Sequence, residues 1–344
     1  MTTTQLKKVC ILRLSAIGDV CHAVAVVQAI QRQYPEAQIT WIVGKIEHSL
    51  LSALPGIRFE IYDKKQGLKG LWALRQRLKN ERFDVLLHMQ LALRASLVSL
   101  CIKAKKRIGF DKQTSKEGQG FFVNAHAQCQ PNAHVIEGFK AFAKAINVDI
   151  DTFSWDMALS ESERAFAKSA LPHQGKTLVI VPAASNAIRN WLIERYAAVA
   201  NWAIEQGINV VLCGGPSTLE KDMAAQIQSQ VKGETLNLIG QTSLRQLLAV
   251  LERADAVLSP DTGPAHMATT VATPVVGLYA NSNSKRTGPY YSLDSTINAY
   301  ERLAPGYFDK PLSEVKWGAR IKQDDVMESI TVEEVVSALK KLLG

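Results

Sequence analysis

The chain has 344 residues, of which 47% are hydrophobic and 21% charged, and a formal net charge of +8. This length and balance suit a soluble globular protein with two domains, each holding its own core, and no apolar run reaches the roughly 18 residues of a membrane span. The five cysteines (10, 21, 101, 129 and 213) are odd in number and include no C-x-x-C pair, which argues against a disulfide framework or zinc site and for a reducing cytoplasm.

The N-terminal stretch carries two lysines and then a short apolar run that Arg13 interrupts, so Val9–Leu14 reads as a first buried strand rather than a signal peptide. A helix follows over Val20–Gln33, then strands near Ile39–Val43 and Phe59–Tyr62. Gly67–Lys79 reads as an amphipathic basic helix, Phe83–His88 as a strand and Leu91–Ile102 as a helix. Arg107–Phe110 reads as a final short strand of this half, and His134–Ile146 as a helix leaving it.

Residues 147–160 are the expected boundary. Ser160 and Glu163 form a capping-box pattern for a helix to about Ala170. Strands at Thr177–Val181, Asn209–Cys213 and Thr235–Leu238 then alternate with helices at Ile193–Gln206, Leu219–Val231 and Ser243–Arg253. Ala256–Ser259 is a buried strand, Ala265–Val271 a helix with Pro264 at its start, and Val275–Tyr279 the next strand. The expected fold class is therefore α/β, with two doubly wound domains facing across a cleft. The domains are residues 1–155 and 156–330, and an amphipathic helix in 331–344 is expected to pack across their junction.

The charge divides unevenly. Residues 1–160 carry 22 Lys and Arg against 13 Asp and Glu, a net of +9, whereas residues 161–344 carry 18 against 19, a net of −1. Within 58–116 the ratio is 15 to 5. A basic half implies an anionic partner, whether nucleic acid, a phosphorylated glycolipid or an acidic membrane, or else a merely solvated surface.

Several loops offer chemistry. Ser15–Asp19 joins the first strand to the first helix, where Gly18 allows a tight turn and Asp19 sits at the helix start, as an N-cap or as a base kept ionised by the positive helix end. In the second half, Ser185–Trp191 follows a strand, and Arg189 there suits either a diphosphate grip or an ordinary polar surface. Trp191 is expected to anchor that loop in the core, and Gly214-Gly215-Pro216 suits equally a turn packed by a nucleotide and a plain turn. Asp261-Thr262-Gly263-Pro264 opens a helix whose free N–H groups suit a phosphate, with His266 one turn in; Asp261 and Thr262 equally suit a plain helix cap. An aspartic protease is excluded, because that chemistry needs two carboxylates sharing a proton and this triplet opens a helix. Neither a Walker A pattern nor G-x-G-x-x-G occurs. Three loops meeting on one sheet edge point further than any one of them.

The early S-x-x-G-D turn, the S-P-D-T-G-P-x-H segment at 259–266 and Gly240-Gln241-Thr242-Ser243-Leu244 resemble the heptosyltransferases of glycosyltransferase family 9, over nearly the whole chain. The resemblance implies a GT-B fold whose C-terminal domain binds a nucleotide-sugar donor and whose N-terminal domain binds the acceptor. It implies inverting transfer of L-glycero-D-manno-heptose from ADP-heptose to the Kdo–lipid A inner core of lipopolysaccharide, with no resident cofactor and no metal strictly required. By the resemblance Asp19 matches the base, Arg189 a diphosphate contact, and Asp261, Thr262, Gly263 and His266 the donor loop. Ser185, Gly215, Glu220 and Thr242 are further matches around the nucleotide. Some family members carry Lys where this chain has Arg189, which implies a different phosphate geometry.

An anionic acceptor in a membrane leaflet gives the basic half a reason. Ser15, Gly18, Lys64, Lys65, Lys69, Arg94 and Arg107 are the acceptor-side candidates. The implied location is cytoplasmic, peripheral to the inner membrane of a Gram-negative bacterium, with no nucleic-acid partner. The rivals are a transferase of another nucleotide sugar and a non-catalytic protein that binds anionic glycolipid or nucleic acid. The second of these explains the basic half but not the phosphate-suited loops of the neutral one.

Overall fold

The computed structural model describes residues 6–344; Met1–Gln5, the start of the segment weighed above as a leader, lie outside them. The chain forms two compact units, one reaching to Ala158 and one spanning Leu159–Gly344.

The first unit runs β1 (Lys8–Leu12), α1 (Ile17–Gln33), β2 (Gln38–Val43), α2 (Lys45–Leu51), β3 (Ile57–Ile61), α3 (Gly67–Leu78), β4 (Phe83–His88), α4 (Leu93–Ser99), β5 (Ala104–Phe110), β6 (Ala125–Ala127) and α5 (Val135–Lys144). Its sheet is parallel, in the order β3-β2-β1-β4-β5-β6. Burial selects these elements over local preference. In α1 the valines 20, 24, 26 and 27 are fully buried. Each such side chain contributes about 1.5–3 kcal/mol, against a helix-propensity cost below about 0.7.

The ends of several elements shift from the sequence-based expectation, α4 being shorter than Leu91–Ile102 and β1 stopping before Arg13. The strand expected from Arg107 begins at Ala104, β6 pairs beyond it, and α2 follows β2. A three-residue edge strand and a seven-residue helix are both too short to show a period.

The second unit runs α6 (Glu161–Ala170), β7 (Thr177–Ile180), α7 (Ile193–Glu205), β8 (Asn209–Leu212), α8 (Thr218–Gln230), β9 (Leu236–Asn237), α9 (Leu244–Arg253), β10 (Ala256–Pro260), α10 (Gly263–Thr270), β11 (Val275–Tyr279), α11 (Ser284–Thr287), β12 (Ile297–Asn298), α12 (Tyr300–Phe308) and α13 (Val332–Leu343). Its sheet is also parallel, in the order β12-β11-β10-β7-β8-β9. The capping box is present at the start of α6, and Glu163 also takes both Nε (2.5 Å) and Nη2 (2.8 Å) of Arg245 on α9. That pairing pulls the Glu163 carboxyl down to about 2. Helix α13 packs on α7, β10 and β11.

Numbered from its own first strand, each sheet has the order 3-2-1-4-5-6, so the chain is α/β with two doubly wound, Rossmann-like units. In each unit the strand order reverses beside the first strand, between β1 and β4 and between β7 and β10. Ligands of open α/β sheets bind at the carboxyl ends of strands at such a point.

Candidate functional site

At the first switch point β1 runs out into Arg13, whose guanidinium is buried. A buried guanidinium is costly unless its donors are met. Here they are met in part: Nη2 pairs with Asp19 Oδ2, Nη1 donates to the Met89 carbonyl at 2.5 Å and the cation lies 5.5 Å from the Phe139 ring centroid, while Nε is buried with no hydrogen-bond partner among the described residues. Burial pulls the Arg13 pKa down and the Asp19 charge opposes it. Asp19 sits three residues into the first turn of α1 and also accepts from Ala16 N at 3.4 Å. Its side chain keeps about a third of its exposure (31%), against 11% for that of Arg13. The result is a carboxylate held from behind and open in front.

The adjoining turn is braced from β4. Gln90 Oε1 accepts from Leu14 N at 2.7 Å, and its Nε2 donates to Ser15 Oγ at 3.3 Å. Gln119 Nε2 in turn donates to the carbonyls of His88 (2.9 Å) and Gln90 (3.0 Å). Burial, with Arg107 and Arg13 near by, brings His88 down to about 3, so it stays neutral. Gly18 is not the expected tight turn: α1 begins at Ile17, so Gly18 lies within the first helical turn, and it is not among the glycines with positive φ. The close approach occurs at Gly44, where a Cβ would stand 2.5 Å from the Leu14 carbonyl oxygen.

Beside Ser15 opens a cavity of about 680 Å³, lined among others by Lys45, Glu47, Lys64, Lys65, Gln90 and Arg94. Ser15, Lys64, Lys65 and Arg94 are thus brought together, and burial raises the Glu47 carboxyl among them. Lys69 is exposed on α3 and does not line the cavity. Arg107 is placed elsewhere. Its guanidinium donates to the carbonyls of Ile102 (2.7 Å), Phe122 (2.8 Å) and Ser99 (3.0 Å) and to Ser99 Oγ (2.8 Å), tying β5 to its neighbours.

At the second switch point the charges are reversed. Arg189 ends a short 3₁₀ turn (Ala187–Arg189) after β7, and its Nη1 donates to the Asp261 carbonyl at 3.0 Å and lies 3.5 Å from Asp261 Oδ2. Ser282 Oγ donates to the same carboxylate oxygen at 2.9 Å, and Asp261 itself is buried. Arg189 Nε is buried with no partner among the described residues. The turn is fixed by Asn190 Oδ1, which accepts from Ala184 N at 2.7 Å, and by the buried Trp191, whose Nε1 donates to Ile330 O at 3.1 Å. Trp191 thus anchors the loop as its size suggested. Ser185 is exposed beside it.

The neighbouring loops lie on the same carboxyl edge. Thr262 is the N-cap of α10 but makes no side-chain cap bond, so the plain-cap reading lacks its hydrogen bond. Gly263 is the first residue of that helix, and His266 is buried in its first turns. Glu220 accepts from Gly215 N and from Ser217 Oγ, each at 2.6 Å, closing the turn after β8. Gly240 N donates to Gly214 O at 3.1 Å, joining the turns after β8 and β9, and Thr242 Oγ1 is buried with no partner among the described residues. A larger cavity of about 750 Å³ in this unit lies by Thr273, Pro274, Tyr291, Glu334 and Lys341, ahead of β11 and away from these loops. It holds none of the selected residues.

Arg13, Gln90, Gln119 and Ser282 were not selected from the sequence. Arg13 carried a signal, being the lone charge in an apolar strand; the others act through sheet order, which no local pattern reports. Among the described residues no group of three or more His, Cys, Asp or Glu side chains is placed to hold a metal ion.

The family model for glycosyltransferase family 9 (heptosyltransferase) matches residues 71–317. The chain is 48% identical over 336 residues to the lipopolysaccharide core heptosyltransferase OpsX of Haemophilus influenzae, covering 98% of this chain and 97% of that one. Its fold matches a solved glycosyl transferase family 9 protein of Veillonella parvula with TM-score 0.81 and 20% identity, over 100% of this chain and 99% of the other. It also matches E. coli heptosyltransferase WaaC, solved with ADP, with TM-score 0.76 and 18% identity, over 97% and 99% of the two chains.

Proposed function

The chain belongs to glycosyltransferase family 9, the heptosyltransferases, and on that premise we propose that it moves L-glycero-D-manno-heptose from ADP-heptose to the Kdo–lipid A inner core, with inversion. It is a heptosyltransferase of lipopolysaccharide core biosynthesis; the donor, the acceptor detail and the stereochemistry are our reading. One observation carries the chemistry: a half-open carboxylate, Asp19, held at a Rossmann switch point by a buried arginine.

In this reading Asp19 accepts the proton of the acceptor hydroxyl as that oxygen attacks the anomeric carbon. ADP departs from the opposite face through an oxocarbenium-like state, which inverts the anomeric centre. Arg189 and the uncapped first turn of α10 stabilise the leaving diphosphate, placing fixed donors where charge develops. Glu220, Gly215, Ser185 and Thr242 surround the nucleotide, Asp261 orients Arg189, and His266 adds a donor to the diphosphate. The second unit is then the donor domain and the first the acceptor domain, with Lys64, Lys65 and Arg94 facing the anionic acceptor. The WaaC relative solved with ADP supports the adenine nucleotide. The enzyme works peripherally at the cytoplasmic face of the inner membrane; no helix among the described residues is long and apolar enough to cross it.

The test is a donor screen. ADP-heptose should raise the melting temperature and give a heptosylated acceptor by mass spectrometry, with ADP released. Equal shifts and equal product from UDP- or GDP-sugars would overturn the donor assignment.

A further inference from the structure

Helix α4 turns Ala95, Ser96, Val98 and Ser99 inward. Its other face carries Leu93, Leu97 and Leu100, all exposed, at the i, i+4, i+7 spacing of one helical stripe. Helix α3 repeats the arrangement, burying Gly70, Leu74 and Leu78 and leaving Leu68 (83%) and Trp72 (66%) in solvent one turn apart. The two helices are neighbours: Leu71, Leu74, Leu78, Ala95 and Val98 share one cluster, and Cys101 Sγ donates to Leu71 O at 3.5 Å. The 3₁₀ turn Gln119–Phe122 packs on α4 and presents Phe121, 94% exposed. Single exposed apolar residues are ordinary; two helical stripes and an aromatic tip on three packed elements are not.

The charge around them identifies the occupant. Helix α3 carries Lys69 and Arg75 and no acidic residue, its Arg77 being paired with Glu60 at 2.6 Å, and Lys65 and Arg94 are exposed beside it. The core of a protein–protein interface is depleted of charge. Interleaved Lys and Arg with Trp, Phe and Leu is instead the composition that lies in a bilayer interface and is drawn to anionic lipid. The cavity lined by Lys64, Ala92, Arg94 and Glu117 opens among the same elements.

We propose that the α3–α4 face of the first unit docks on an anionic bilayer, with Trp72, Phe121 and the Leu93–Leu97–Leu100 stripe entering the boundary between headgroups and acyl chains. This rests on the acceptor reading above, because the docked face brings the basic cavity to the level where an acyl-anchored sugar stands. Lys and Arg contribute attraction from a distance, and the apolar side chains hold the protein once it arrives.

The test uses the full chain and vesicles of equal parts phosphatidylglycerol and phosphatidylethanolamine, some with brominated acyl chains. Wild type should sediment with them, and brominated lipid should quench its tryptophan fluorescence; Trp72→Phe should bind nearly as well but lose most of the quenching. Leu97→Glu with Leu100→Glu should weaken binding about tenfold or more, with Leu97→Ser and Leu100→Ser as a milder pair should circular dichroism show the first unfolded. High salt should reduce wild-type binding without abolishing the quenching of what remains. No quenching, or complete release by salt, would overturn insertion, and so would a mass measurement in which the glutamate pair breaks a dimer but leaves vesicle binding intact.

Transfer assays separate this proposal from the functional one. The glutamate pair should fall at least several-fold on vesicle-embedded acceptor and match wild type on a deacylated, water-soluble acceptor. Equal loss on both would assign the face to acceptor recognition and overturn docking while the transferase reading stands. Normal vesicle insertion with no heptose transfer to either acceptor would do the reverse.

Discussion

The two units share one strand order and use it with opposite charge. At the first switch point a buried arginine, Arg13, holds a partly exposed aspartate, Asp19; at the second a buried aspartate, Asp261, holds an arginine, Arg189. The supporting partner differs too, with the Met89 carbonyl behind Arg13 and the Ser282 hydroxyl behind Asp261. The fold supplies an edge where loops meet, and the charge brought to it decides what that edge can do. A carboxylate about a third exposed suits proton removal, and a guanidinium at the second edge, though mostly buried, suits a departing diphosphate.

The largest break in this comparison is Asp19→Asn. The amide keeps the helix-start acceptor but cannot take a proton, so turnover should fall about 10²–10⁴-fold. Turnover above a tenth of wild type would remove Asp19 from the base role.

A stability measurement shows whether the second unit stands on its own charges. Glu163 is paired with Arg245, and its carboxyl lies at about 2. Because the folded value is below the unfolded one, the stabilisation is full above the unfolded range near 4.5 and is lost as pH falls through about 2. Glu163→Gln should therefore cost about 2 kcal/mol at neutral pH in urea unfolding of the second unit, allowing for residual solvent screening. The gap between variant and wild type should close as pH approaches 2. A gap that persists there would mean packing, not charge, explains the loss.

Arg13→Lys sharpens the first switch point. A lysine keeps the charge but lacks the fork that reaches both Asp19 and the Met89 carbonyl. Turnover should drop about tenfold with donor affinity and the acceptor Michaelis constant little changed, since Arg13 positions Asp19 rather than touching substrate. A change confined to the Michaelis constants would contradict that split. The smallest effect expected is from Lys64→Gln with Lys65→Gln, which should raise the acceptor Michaelis constant several-fold at low salt and less at high salt. Donor binding should be unaffected.

Much of the fold was legible because buried parallel strands are largely apolar runs: Phe83–His88, broken only by Asp84 before its final histidine, and Val275–Tyr279 match their expected bounds residue for residue. The stretch from 281 to 331 was not, since its helices and 3₁₀ turns are short and interrupted, with Pro305 inside α12. For the candidate site, the loops after β1, β7, β8 and β10 could be named from strand ends alone. What each side chain does there could not be named. Arg107 was an acceptor-side candidate and is folded into a cage of carbonyls, whereas Gln90 and Ser282, silent in the sequence, brace the turn before Asp19 and the Asp261 carboxylate respectively. Those contacts span sequence separations of 76 between Gln90 and Leu14 and 21 between Ser282 and Asp261, and only the sheet order creates them.

The division of labour between the two switch points is tested most directly by calorimetry of ADP with two variants side by side. Arg189→Ala should weaken ADP about tenfold or more, because it removes a charge-assisted contact worth roughly 1.5–3 kcal/mol. Asp19→Asn should leave the affinity within about twofold of wild type, since a base on the acceptor side takes no part in holding the diphosphate. If Asp19→Asn weakened ADP as much as Arg189→Ala, or if Arg189→Ala bound ADP like wild type, the two switch points would not divide the reaction as described.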